Sequence, residues 1–283
     1  MSLSRSLYST QFLTIDLTEG GTGALATTVS GLPIQTASIE RTVPTEDIII
    51  LGKLGSVGRQ QKEVESVKMD IKLFWATGSG NSLTADNLGV LTGNALNGTR
   101  SRIVVTPNGF TGFGILTNFG IDASVGDFLT ANMSFEGFGT PIITSAATKA
   151  NDTSSYPSTS VTVYTSENVS VAGASNETIK SAKFSIDIPS ERLSRLGAPI
   201  TGSQTGLLLT GNHLLVAKPP FKVSVSYDGE FVTGAHANDA ITFGHLVITP
   251  SNSNITTQSF SQNAGDVGAT MSFASEGTSC SFA

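Results

Sequence analysis

GDFLTANMSFEGFG, residues 126–139, has a near copy later in the chain: GDVGATMSFASEG, residues 265–277. Both open on Gly-Asp and both contain Ala-x-Met-Ser-Phe. Both also carry a Glu-Gly pair, Glu136-Gly137 and Glu276-Gly277. In the first copy Ala131, Met133 and Phe135 alternate with Asn132, Ser134 and Glu136. In the second, Ala269, Met271 and Phe273 repeat the apolar set. Period-2 alternation bounded by Gly and Asp predicts a half-buried β-strand. A strand of this kind closing each half of a chain predicts an internal duplication.

Other blocks recur in the same order. Gln35 to Val43 alternates, with Ala37, Ile39 and Val43 on one face, broken only by Arg41; Lys180 to Ile188 does the same with Ala182, Phe184, Ile186 and Ile188. Pro44-Thr45-Glu46 and Leu51-Gly52 match Pro189-Ser190-Glu191 and Leu196-Gly197, each 145 residues on (189 − 44 and 196 − 51). The long strand Glu63 to Trp75 puts Val67, Met69, Ile71, Leu73 and Trp75 on one side, and Phe221 to Tyr227 takes its place later. Val104-Val105-Thr106-Pro107 matches Val247-Ile248-Thr249-Pro250 at an offset of 143, and the closing strands match at 273 − 135 = 138. Leu83 to Leu96 breaks the alternation after Thr84-Ala85-Asp86 and reads as a short helix, reduced in the second half to about His236 to Phe243. A hairpin is expected about Val125-Gly126-Asp127. These blocks predict a mainly β chain of two tandem β-sandwich or barrel domains, 1–140 and 160–283, each with a short flanking helix. The polar stretch 141–159 reads as the linker.

The chain has 283 residues, 39% hydrophobic and only 13% charged, with a net charge of −6. A low charge density filled by Ser, Thr, Asn and Gly suits sheets with uncharged polar faces. The acidic balance argues against gripping nucleic-acid phosphates. One cysteine, Cys280, excludes an intrachain disulfide and reads as an inert thiol. No apolar run approaches a membrane span. MSLSRSLYSTQFL lacks the apolar core of a signal peptide, so export is not expected.

Catalytic chemistry finds no foothold in the residues. His213, His236 and His245 have no ligand at metal spacing, so no metal or cofactor is expected. Gly52-x-x-Gly55-x-x-Gly58, with Lys53, departs from a phosphate loop and reads as a mobile loop. No nucleophile elbow occurs, and Glu46-Asp47 and Glu63/Glu65 read as polar loop or strand faces. Beside the basic cluster Lys53, Arg59 and Lys62 lies the apolar run Ile48, Ile49, Ile50 and Leu51, which needs covering by a partner.

In order and kind, these blocks resemble the tail tube (major tail) proteins of long-tailed bacteriophages. The residues concerned are Ala37, Pro44-Thr45-Glu46, Leu51-Gly52, the long amphipathic strand, the short helix and the closing Gly126-Asp127 to Gly137. The resemblance covers most of 5–140 and, more weakly, 160–283. It implies a β-sandwich with a flanking helix, copies joined into rings around a channel, and no enzymatic activity. Rings would stack through the loop Pro44 to Lys62, with Ile48, Ile49, Ile50, Leu51, Lys53, Arg59 and Lys62 at the contact. The genome would pass through without sequence-specific binding. Glu40, Lys68, Asp70, Lys72, Asn132, Ser134 and Glu136 are the candidates for the lumen side. The resemblance also implies contacts with tape-measure and tail terminator or baseplate proteins, assembly in the host cytoplasm and residence in the virion, with no membrane partner. Single-domain tube proteins form six-fold rings, so two fused copies predict a trimeric pseudo-hexamer; a hexamer with an outer second domain is the alternative. Two other readings compete: a tandem β-sandwich adhesin or decoration module binding a receptor or glycan, and a β-sandwich hydrolase. The first should expose aromatic loops, whereas Trp75 ends an amphipathic strand. The second should show a convergent acid/base pair.

Overall fold

Alternating apolar and polar residues put about 70% of the described residues into strands. The computed structural model describes residues 12–17, 28–52, 54–61, 65–77, 82–106, 109–138, 141–143, 162–172, 179–194, 213–230, 237–262 and 270–283. In chain order come β1 (Phe12–Asp16), β2 (Thr28–Thr42), β3 (Thr45–Ile49), β4 (Ser56–Gln61), β5 (Ser66–Phe74) and β6 (Ala76–Thr77). Helix α1 (Ala85–Asn97) follows, then β7 (Ser101–Thr106), β8 (Phe110–Ser124), β9 (Thr130–Phe138) and β10 (Ile142–Ile143). The second half holds β11 (Thr162–Val163), β12 (Val169–Val171), β13 (Ile179–Asp187), β14 (Ser190–Ser194), β15 (His213–Ala217) and β16 (Lys222–Glu230). It ends with β17 (Ile241–Phe243), β18 (Leu246–Ser251), β19 (Asn254–Ser261), β20 (Thr270–Gly277) and β21 (Ser279–Phe282).

The chain is mainly β, and β8, β7, β1, β2, β5 and β9 close into a six-stranded antiparallel barrel, β9 returning to pair with β8. The expected faces are the buried ones: Val67, Met69, Ile71, Leu73 and Trp75 from β5 and its end, and Ala131, Met133 and Phe135 from β9. Helix α1 forms where expected. The Thr84 side chain caps it by accepting the Asn87 N–H at 3.3 Å, and Gly98 ends it in the left-handed conformation. Its buried face is Leu88, Leu91 and Ala95.

Two expectations are corrected. The segment after Pro44, read as a loop, is a β-hairpin: β3 pairs β4, and Gly52 and Gly55 take positive φ near its tip. The second helix, His236 to Phe243, is absent among the described residues. Ile241–Phe243 is instead a strand, β17, which satisfies its backbone between β12 and β18. Its β-branched Ile241 and Thr242 favour that state. Most of the expected linker, residues 144–159, lies outside the described residues, as does Leu196-Gly197.

The two halves share one sheet. β13 pairs antiparallel with the later part of β8, giving an unbroken order β2-β5-β9-β8-β13-β16-β20-β19. Opposite its apolar face, the sheet β12-β17-β18-β21 covers the second half. The core runs through both halves. Trp75 tilts against Phe119, Phe119 against Phe184, and Phe184 meets Phe282 edge-on at 6.3 Å. The Trp75 indole N–H donates to the Phe243 carbonyl at 2.9 Å.

Within that order the run β2-β5-β9-β8 and the run β13-β16-β20-β19 pair alike. Arg41, Val67 and Gly137 share a rung, and so do Ile186, Val223 and Gly277. Each run has a bulge in its last pair: between Leu116 and Asn118 opposite Phe135 and Ser134, and between Ile255 and Thr257 opposite Ser275 and Ala274. On these rungs Glu136-Gly137 corresponds to Glu276-Gly277, an offset of 140 (277 − 137). The Met-Ser-Phe match at 138 is therefore two residues out of register. A slip of two leaves every side chain on its own face, which is why alternation alone reads the faces correctly and the register wrongly.

Both glycines sit at close approaches, of different severity. A Cβ on Gly137 would lie 1.9 Å from the Phe113 carbonyl oxygen; one on Gly277 would lie 2.2 Å from the Ser253 hydroxyl. A backbone oxygen cannot turn aside and a serine side chain can. Gly137→Ala is therefore expected to destabilise by about 1–3 kcal/mol, in the range of overpacking substitutions, and Gly277→Ala by less. Urea unfolding of the two variants checks this; equal, small losses would contradict the register.

Candidate functional site

The residues expected on one polar face do share it. Three rungs carry them: Glu40, Lys68 and Glu136; Ser38, Asp70 and Ser134; Thr36, Lys72 and Asn132. Neighbouring charges offset one another. Lys68 pairs with Asp70 at 3.1 Å, and the Ser134 hydroxyl donates to Asp70 at 2.6 Å. The same face continues over the second run. Lys183 meets Asp122 across the β13–β8 junction at 3.2 Å, and Lys222 meets Glu276 at 3.2 Å. Exposed pairs of this kind contribute about 0–1 kcal/mol each, so they set the character of the surface more than its stability. On this face Glu40, Asp70, Asp122, Glu136, Asp187, Asp228 and Glu276 outnumber Lys68, Lys72, Lys183 and Lys222.

The hairpin β3–β4 is the second feature. Ile48, Ile49, Ile50 and Leu51 are all exposed, as expected from the need for a cover, and Leu51 is fully so. Leu54, also fully exposed, and Val57 extend this patch and were missed, because neither belongs to an apolar run. Arg59 pairs with Asp47 at 2.7 Å across the hairpin. Lys53 and Lys62 lie outside the described residues. The matching hairpin of the second half, β14–β15, is held down instead. Ser190 donates to Glu136 at 2.9 Å, Arg192 meets Glu136 at 3.1 Å and its guanidinium lies over the Phe138 ring, while Leu215 and Ala217 are buried as β15 lies against α1.

The third feature is a pair of open strand edges. β1 covers β2 only from Thr28 to Pro33, so the edge of residues 35–42 away from β5 has no strand beside it among the described residues. β19 closes the other end of the sheet, with all eight residues exposed. Arg41, the polar residue on the apolar face of β2, is explained by Glu65: this buried carboxylate accepts the Arg41 Nε–H at 2.6 Å.

Among the described residues no group of His, Cys, Asp and Glu could hold a metal ion. His245 is a packing residue: its ring stacks on Trp75 at 5.0 Å and Nε2 lies 3.0 Å from the Leu83 carbonyl oxygen. His236, and the side chain of His213, lie outside the description. Trp75 is buried, so the one tryptophan is not offered to a ligand. No helix of the described residues is long and apolar enough to cross a membrane. No protein-family model matches the chain, and no curated protein matches it.

Two titratable groups stand out by environment. Burial pushes the Cys280 thiol up to about 12, so it carries no thiolate near neutrality. Burial, then the charge of Asp239, raises the Tyr227 phenol to about 12; its hydroxyl meets no hydrogen-bond partner among the described residues. Both groups hold their protons more tightly folded than unfolded. Their contribution is complete below the unfolded pKa and is lost as pH climbs from there toward 12. Stability should therefore fall from pH 9 through Cys280 and from pH 10 through both groups until about 12, and Tyr227→Phe should fall less steeply while gaining about 1 kcal/mol at neutral pH by deleting the orphaned hydroxyl. Denaturant midpoints at pH 8 and 11 check both; parallel declines for the two proteins would contradict the assignment to Tyr227.

Proposed function

We propose that this chain is a structural subunit of a bacteriophage tail tube, assembling into stacked rings around a channel for the genome. The observation that carries the reading is the eight-stranded antiparallel sheet, polar on one face and open at both edges. Open edges template uncontrolled pairing unless another chain covers them, and a closed ring covers both at once. The repeated strand order, the shared bulge and the matched glycines support an internal duplication. With two such units per chain, three chains close the same number of four-stranded runs as six single-unit subunits, so the ring is a trimeric pseudo-hexamer. The polar face would line the channel. Its excess of carboxylates would repel phosphate, as a conduit for DNA requires. The exposed apolar hairpin tip then supplies the contact between rings.

Native mass spectrometry of assembled protein tests the reading. Rings of three chains, about 88 kDa from a 29.3 kDa subunit, are expected. Six chains per ring would overturn the trimer, and monomers at every concentration would overturn the ring. Replacing Ile49 and Ile50 by Asp together should leave rings intact but abolish tubes in negative-stain images. Normal tubes from that variant would remove the hairpin from the stacking contact.

A further inference from the structure

One junction between four-stranded runs is already present within the chain. There β13 lies antiparallel to β8, with Phe184 opposite Ile121 and Ile186 opposite Phe119 on the buried face, and Lys183 opposite Asp122 on the polar face. The edge that β13 uses is the one left open on β2, and the edge that β8 uses is the one left open on β19. Rung by rung, β13 follows β2 by 145 residues (187 − 42) and β19 follows β8 by 139 (257 − 118), the second fixed by the two bulges.

We infer that neighbouring copies join β2 of one to β19 of the next in the register of the internal junction, with Ile39 opposite Phe260 and Glu40 opposite Ser259. The inference rests on the ring reading and specifies its lateral contact. Four observations support it. The transferred register keeps faces matched: Ile39 packs against the core and Phe260 shares the face of Met271, while Glu40 and Ser259 both lie on the polar face. A slip of one residue would set apolar against polar along the whole edge. Phe260 is 59% exposed, a large apolar side chain on an edge strand that the opposing Ile39 would cover. β19 also carries none of the usual protection against pairing. Asn254–Ser261, NITTQSFS, holds no charge and no proline. Finally, the two edges are different surfaces, so the contact is heterologous, the kind that closes into a ring when the rotation allows.

The register makes a geometric prediction. Inside the chain the backbone bonds across the junction include Ile188 N–H to Thr117 O and Val125 N–H to Lys180 O, both 2.8–2.9 Å. The polar-face pairs between these rungs are thus non-hydrogen-bonded pairs, whose Cα atoms approach to about 4.5 Å, within disulfide reach. Glu40 with Ser259, and Ser38 with Ser261, are the equivalents. In a Cys280→Ser background, Glu40→Cys with Ser259→Cys should oxidise to a covalent ladder ending at trimers that a reductant reverses, and Ser38→Cys with Ser261→Cys should do the same. Glu40→Cys with Thr257→Cys, a diagonal pair, should link at least tenfold less. If the protein assembles by native mass spectrometry but neither in-register pair links, or the diagonal pair links best, the junction is overturned while the ring stands. If every variant and the wild type remain monomeric, the ring reading itself fails and the junction with it.

Discussion

A strand has two hydrogen-bonding edges, and buried backbone groups on either must find partners. β8 meets this demand by dividing one of its edges. Residues 111–114 pair with β7, and residues 118–124 pair with β13, while β9 runs along the other edge over 115–122. The first pairing closes the barrel; the second hands the sheet to the other half of the chain. Fifteen residues of continuous strand permit both. With a β8 that stopped at residue 117, the second run would have no edge to extend, and β9 would keep only its rungs at Ile115 and Leu116. β2 behaves differently: its first part pairs β1 on one edge and its later part pairs β5 on the other, which leaves one edge of 35–42 open.

Packing reinforces the handover. Trp75 ends β5 and lies against Phe119 of β8, which in turn faces Phe184 of β13, so one chain of rings crosses from the barrel to the second half directly behind the junction. The Trp75 backbone bonds to Leu129 and Tyr164, and its indole to Phe243. A residue tied at four points to segments from both halves makes the halves one body. Burial of that indole takes the one tryptophan out of reach of a glycan, while Phe128 and Phe260 remain exposed.

Much of this was legible in the sequence, for identifiable reasons. Period-2 patterning marks which side chains are buried, and it did so for β5, β9, β13, β16 and β20 because each is buried on one face only. Helix α1 announced itself through its break in period and the Thr84 cap. The polar face was legible for the same reason as the core, being its complement. What local pattern cannot carry is pairing between distant strands. Nothing in Asn118 to Ser124 or in Ser181 to Asp187 says that they lie side by side, since both alternate and neither carries a motif. The hairpin β3–β4 was hidden because its glycines read as loop residues, whereas two of them sit at positive φ around its turn. The second helix was expected from the resemblance between the halves, and Ile241–Phe243 forms β17 there instead.

The register is the instructive failure. Ala-x-Met-Ser-Phe is the longest identity between the halves, and it aligns residues that the fold does not align. On an apolar strand face a shift of Ala, Met and Phe by two residues keeps the alternation, and the neighbours in each half can be chosen to fill the changed volumes, so identity there is weak evidence of position. A glycine against a carbonyl oxygen has no such freedom: a Cβ on Gly137 would strike the Phe113 carbonyl, while one on Gly277 would meet the Ser253 hydroxyl, which can yield, and then the Ser251 carbonyl at 3.0 Å. The difference reaches the outer edges of the sheet. Aligned on Met-Ser-Phe, the internal junction would map Arg41 onto Phe260 and Ile39 onto Gln262. Aligned on the glycines and the bulges, it maps Ile39 onto Phe260 and leaves Arg41 with Gln258, free to keep its bond to Glu65. Steric necessity, being harder to move than hydrophobicity, is the better ruler for laying one half of this chain over the other.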